Sequence, residues 1–177
     1  MSATFDFRLV DDECFEHTRA AWMEYAEANP EKVSTLTYEG FLHSCHAHRA
    51  SPSGDGKNAL YGVFEQGNDA ACALVNVTHA RPKSTSPWLK VLAIYVEPHL
   101  DVSTSEPNIE KLAWIAATAI TGTIGLSYDE MPADEVKIWA NVPMTKEFLT
   151  AVSTALFEGR LEVSSHGNWL VVTKNKR

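Results

Sequence analysis

Apolar and polar positions along this chain recur with periods that predict its elements one after another. Phe5, Phe7 and Leu9 alternate with polar residues and predict a first strand over residues 5–10. Asp11 or Asp12 then caps a helix with acids in its first turn. Phe15, Thr18, Ala21, Trp22 and Tyr25 share one face of it, and Pro30 follows its end. A second helix is predicted from about Thr37 to Arg49, with Tyr38, Phe41, Leu42 and Cys45 inward. Ser51 to Lys57 is a loop of breakers, and Ala59 to Gln66 and Ala70 to His79 are two strands joined at Gly67-Asn68.

Residues 88–126 organise the rest. Trp88 to Val96 is apolar on both faces, as a central strand is, and Glu97-Pro98 ends it. His99 to Pro107 is read as a polar, acidic loop. Asn108 to Leu126 is an apolar helix, charged only at Glu110 and Lys111, whose buried part is expected to begin at Trp114 and Ile115. Val136 to Asn141 is a strand. Thr145 to Phe157 is an amphipathic helix with Phe148, Val152, Ala155 and Leu156 inward and Gly159 just past its end. Arg160 to Ser164 and Asn168 to Lys174 form a last hairpin across His166-Gly167. The order implies an α/β fold, a mixed central sheet flanked by helices, in one domain spanning residues 1–177.

Charge narrows the partners. Fifteen basic residues stand against 23 acidic ones, a net charge of −8. That argues against non-specific nucleic-acid binding and against docking to anionic membranes. Cys14, Cys45 and Cys72 are widely spaced, which suggests free thiols in a reducing compartment. The N-terminus has no apolar signal core, and the apolar run from Leu112 to Leu126 is shorter than the roughly 20 residues a bilayer requires. A soluble, cytoplasmic-type protein is expected.

The element order, with Val96-Glu97-Pro98 at the end of the central strand, resembles the GCN5-related N-acetyltransferase (GNAT) fold over nearly the whole chain. The resemblance implies an acetyl-CoA site at that strand's carboxyl end, with Val96 and Asn141 as cofactor contacts and Glu97 as the base that deprotonates an amine. Two motifs of the family are missing. A glycine-rich loop whose bare N–H groups hold the pyrophosphate is replaced by a segment bearing Asp101 and Glu106, with Glu110 in the next turn. The tyrosine that serves as general acid, seven residues after the Asn, is Phe148, which has no proton to give. Residues 138–174 more narrowly resemble the GNAT-like internal virion proteins of podovirus phages. Together these imply a non-catalytic protein acting within an assembly of other protein subunits, in a virion if phage-encoded, with no cofactor. The alternative is an acetyl-CoA-dependent N-acyltransferase with an atypical pyrophosphate loop. A homo-oligomer is compatible with either.

Other clusters invite the ordinary explanation. His43, Cys45, His46 and His48 lie on one helix, which rarely aims more than two ligands at one point, so no metal site is expected. A Cys45 nucleophile would need a partner that the sequence does not name. Trp22, Trp88, Trp114, Trp139 and Trp169 fall on separate elements, as core or interface residues do.

Overall fold

The computed structural model describes residues 4–50, 57–102, 105–140, 143–157 and 161–174. Its elements are β1 (Phe5–Leu9), α1 (Asp12–Ala28), α2 (Thr35–Ala50), β2 (Lys57–Glu65), β3 (Ala73–Ala80), β4 (Trp88–Val96), α3 (Pro98–Asp101), α4 (Glu106–Tyr128), β5 (Glu135–Trp139), α5 (Pro143–Phe157), β6 (Leu161–His166) and β7 (Trp169–Lys174). The strands form one seven-stranded sheet in the order β1-β2-β3-β4-β5-β7-β6. Among the described strands only β4 and β5 run parallel, which is where the long crossover through α4 is needed.

Two apolar layers hold the sheet. Leu60, Phe64 and Leu74 on one face pack with Phe15, Trp22, Ala26, Tyr38, Leu42 and Cys45 of α1 and α2. Val63, Val75, Val91 and Ile138 on the other pack with Ile115, Ala119, Ile120 and Ile124 of α4 and with Leu149 of α5. Trp22 reaches through its layer to donate from Nε1 to Ala71 O at 2.9 Å. Asp11 caps α1, accepting from Cys14 N at 2.8 Å. By length and composition alone the 23-residue α4 could cross a membrane. Here its buried residues, Ile115 to Ser127, lie against the sheet.

Several expectations need correction. Residues 98–101 form a helical turn, because Pro98 supplies the fixed φ of a first helical position. The central helix starts earlier, at Glu106. Trp114 is 50% exposed, because one residue's step turns it about 100° round the helix from buried Ile115. Ala21 is exposed and Ala26 takes its inward place. On α5 Leu149 and Ser153 are buried, while Ala155 and Leu156 face outward. Gly159 and Arg160 lie outside the described residues.

Gly122 and Gly125 of α4 test this packing with opposite signs. A Cβ on Gly122 would sit 2.2 Å from Cδ1 of Phe7, the ring that stacks on Tyr61. A Cβ on Gly125 would meet nothing within 4 Å. Gly122→Ala is expected to destabilise by roughly 1–3 kcal/mol through overpacking. Gly125→Ala should stabilise by up to about 1 kcal/mol through helix propensity. Urea melts of the two variants check both signs.

Candidate functional site

The sheet opens at the carboxyl end of β4. Parallel pairing to β5 runs from Trp88↔Glu135 to Val91↔Ile138. Directly beyond it β4 carries a bulge: Asn76 pairs with Ala93 and Val77 with Val91, so Leu92 is the extra residue. A bulge adds twist and bends its strand. Past it β4 stays with β3 through Leu74↔Tyr95 and Ala73↔Val96. Meanwhile β5 stays with β7, and Ala140 N donates to Asn168 O at 2.9 Å. Among the described residues the β5-facing edge of residues 92–96 therefore has no strand partner, and the two strands that began side by side part there. Asn76, 3% exposed and opposite Ala93, has an Oδ1 without a hydrogen-bond partner among the described residues.

Glu97 and Val96 stand at this opening. Val96 is half-buried against the α4 side of the core. Glu97 caps the α3 turn, and its carboxylate is engaged: Oε1 lies 3.2 Å from Lys111 Nζ as an ion pair outside hydrogen-bond alignment, and Oε2 lies 3.4 Å from His99 Nδ1. Lys111 also donates to Glu65 Oε2 at 2.9 Å. Burial alone would lower the Lys111 pKa, but the hydrogen bond to Glu65 and the charge of Glu97 reverse this and raise it above 10.5. Asn141 lies outside the described residues.

The start of α4 is ill-suited to a pyrophosphate. Pro107 has no N–H, and Asn108 N and Ile109 N both donate to Ser105 O, at 3.0 Å each. Glu106 and Glu110 place two exposed carboxylates in the first turns. Asp101 is not free either: it accepts from Tyr38 Oη at 3.0 Å, which also lies 3.3 Å from Val96 O. Burial, then the Asp101 charge, push the Tyr38 phenol well above its usual range. Phe41 stacks on Tyr95 at 4.6 Å, so the α2 side of the opening is aromatic. Phe148 of α5 packs half-buried against the core and offers no hydroxyl.

This architecture matches solved structures across nearly its whole length. A Vibrio cholerae protein assigned as a ribosomal-protein-serine acetyltransferase aligns with a TM-score of 0.53 at 10% identity, over 98% of this chain and 94% of its own. A Staphylococcus epidermidis protein assigned as an acetyltransferase aligns at 0.51 and 14% identity, over 97% of this chain and 100% of its own. The chain has the GNAT fold. At these identities the likeness is one of fold. No protein-family model matches the chain, and no curated protein matches it in sequence. The likeness rests on the mixed seven-stranded sheet flanked by helices.

The remaining candidates separate. His43 and His46 are exposed on α2, and Cys45 faces the core, its thiol pushed by burial up to about 12. His48 Nε2 contacts Val77 O at 3.0 Å. Among the described residues no three of His, Cys, Asp and Glu gather around one point. Sequence reasoning missed Lys111 as the partner of Glu97. The signal was there, a lone cation in an apolar helix, which burial permits only beside a carboxylate.

Replacing Lys111 with Met leaves Glu65 and Glu97 close together and uncompensated, and is expected to cost on the order of 1–2 kcal/mol at pH 7. The pH dependence follows from the raised pKa of Lys111. Its contribution is fully present below the unfolded value near 10.5 and is lost as pH rises through the folded value. The difference in melting temperature between wild type and Lys111→Met should therefore be constant from pH 7 to 9 and shrink above about 10.5. A difference that persists unchanged at pH 11.5 would contradict the ion pair.

Proposed function

We propose that this chain binds an acyl thioester in extended form along the free edge of β4, as an N-acyltransferase of unorthodox nucleotide recognition. One observation carries the reading: among the described residues, 92–96 present an unpaired strand edge inside the sheet. Buried backbone N–H and C=O groups nearly always find partners. An amide-bearing arm laid along the edge would supply them. Acetyl-CoA would bring an activated acyl thioester on such an arm. Its amide arm suits the edge, whereas its pyrophosphate does not suit the start of α4.

The chain's own residues then bind and orient. The half-buried Ile94 and Val96 offer apolar walls on the α4 side, and Tyr95 offers one on the α2 side. Glu97 is the base nearest the opening, and it acts as one only when an arriving amine displaces Lys111. The two solved structures compared above are assigned as acetyltransferases, which supports the reading.

The second reading is a non-catalytic GNAT-fold protein working through contacts with other subunits, in a virion if phage-encoded. The start of α4 and the absence of a hydroxyl at Phe148 favour it.

Calorimetric titration with acetyl-CoA and with acetyl-pantetheine, which lacks the nucleotide, separates the two. The acyltransferase reading expects both to bind with dissociation constants within about threefold of each other, since the pyrophosphate gains nothing. Glu106→Gln with Glu110→Gln should tighten acetyl-CoA by roughly two- to fivefold per charge and leave acetyl-pantetheine unchanged. If neither ligand binds, the non-catalytic reading takes its place.

A further inference from the structure

On one sheet face the described helices stop short of the back strands, whose own side chains cover them: Val171 of β7 is only 6% exposed there. Register places Trp88, Lys90 and the bulged Leu92 of β4, Glu135, Lys137 and Trp139 of β5, and Trp169 of β7 on the face that α1 and α2 cover farther along, over β2 and β3. On that side α2 reaches β4 only at its end, where Phe41 stacks on Tyr95, and no described helix lies over residues 88–92 of β4 or over β5, β7 and β6. Leu92 is 39% exposed and Trp139 38%. Trp139 and Trp169 stack edge to face at 4.9 Å.

Charge on this face runs against the molecule. The chain has a net charge of −8, yet three cations gather on one indole. Arg81 Cζ lies 4.8 Å, Lys137 Nζ 4.3 Å and Lys90 Nζ 6.0 Å from the centre of the Trp88 ring. Lys137 has Glu135 at 3.1 Å. Arg81 and Lys90 have no carboxylate partner among the described residues. The indole holds the cations in place, but like charges drawn together repel, and an anion laid over them relieves that repulsion. Arg81 is held there by a left-handed backbone, φ 52°, that non-glycine residues rarely adopt.

We infer that this open face docks an acidic polypeptide segment: its apolar side chains lie on Leu92, Trp139 and Trp169, and its carboxylates on Arg81, Lys90 and Lys137. The surface goes beyond the acyl-thioester site and does not depend on it. Where both hold, the docked segment lies beside the free edge of β4 and is the acyl acceptor. A short mixed segment is favoured over a nucleic acid because the face offers few cations, those around Trp88, beside the carboxylates of Glu135 and Glu162, whereas polyanion binding requires many phosphates to be neutralised. A mixed apolar and charged segment matches the mixed surface.

The test is fluorescence anisotropy with three labelled probes: a twelve-residue peptide rich in Asp and Glu with a central Leu-Phe pair, the same peptide with every acid replaced by Lys, and an oligothymidylate. Saturable binding of the acidic peptide alone is expected, weakening as salt rises. Arg81→Gly suits the backbone, because glycine adopts φ 52° freely, so the fold is kept while the cation is lost. It should weaken the acidic peptide by about threefold, and Arg81→Gly with Lys90→Gln by about tenfold. No binding, equal binding of the Lys peptide, tighter binding of the oligothymidylate, or affinity unmoved in the double variant overturns the inference. So does self-association, followed by sedimentation velocity, that the acidic peptide does not disperse. Acetyl-CoA titration run in parallel keeps the two claims apart. Peptide binding without acetyl-CoA binding leaves this surface standing and removes the acyl donor, and the reverse result removes only the surface.

Discussion

One inserted residue sets the form of this molecule. β4 and β5 begin as a parallel pair, and four residues later the bulge at Leu92 ends the pairing. A strand that bends at that point can follow only one neighbour. β4 follows β3, and β5 follows β7. The sheet thus divides into a front half, clamped between α1–α2 and α4, and a back half that α4 and α5 cover on one face only. The free edge of β4, the half-buried aromatics around it and the face with its cations all follow from that division.

Electrostatics then decides what the opening can do. Lys111 bridges Glu65 at the end of β2 and Glu97 at the end of β4, tying α4 to the sheet beside the free edge of β4. Tyr38 ties α2 to Asp101 of the α3 turn. These contacts use carboxylates and a cation that a cofactor or base would otherwise claim. The side chains around the free edge of β4 are thus engaged in structural contacts, whatever ligand the proposed site takes. A pyrophosphate meets Pro107 and two glutamates where it would need bare N–H groups.

Much of this was legible in the sequence. One-sided apolar patterns marked most of the seven strands and four long helices, while β4 and α4 were marked by continuous apolar runs. The turns at Gly67 and Gly167 were marked by glycines that adopt positive φ, 89° and 58°. The acids at 101, 106 and 110 were legible too, since they depend on residue type alone. The bulge was not: Leu92 is one more apolar residue in an apolar strand, and only pairing to β3 and β5 reveals that it has no partner. Nor was the pairing of Lys111 with two acids 46 and 14 positions away, since those come together only through the sheet. Trp114 misled because an apolar helix gives little contrast between its faces. The cation cluster on Trp88 joins a turn and two strands, so no local window contains it.

The central claim, that the free edge of β4 is the ligand site, is tested most directly by amide hydrogen exchange across β4. In the free protein, residues 88–91 should be strongly protected, and those amides of residues 92–96 that do not bond to β3 should exchange fast. Saturating acetyl-pantetheine should slow these same amides and few others. Full protection of residues 92–96 in the free protein, or a ligand footprint elsewhere, would contradict the account.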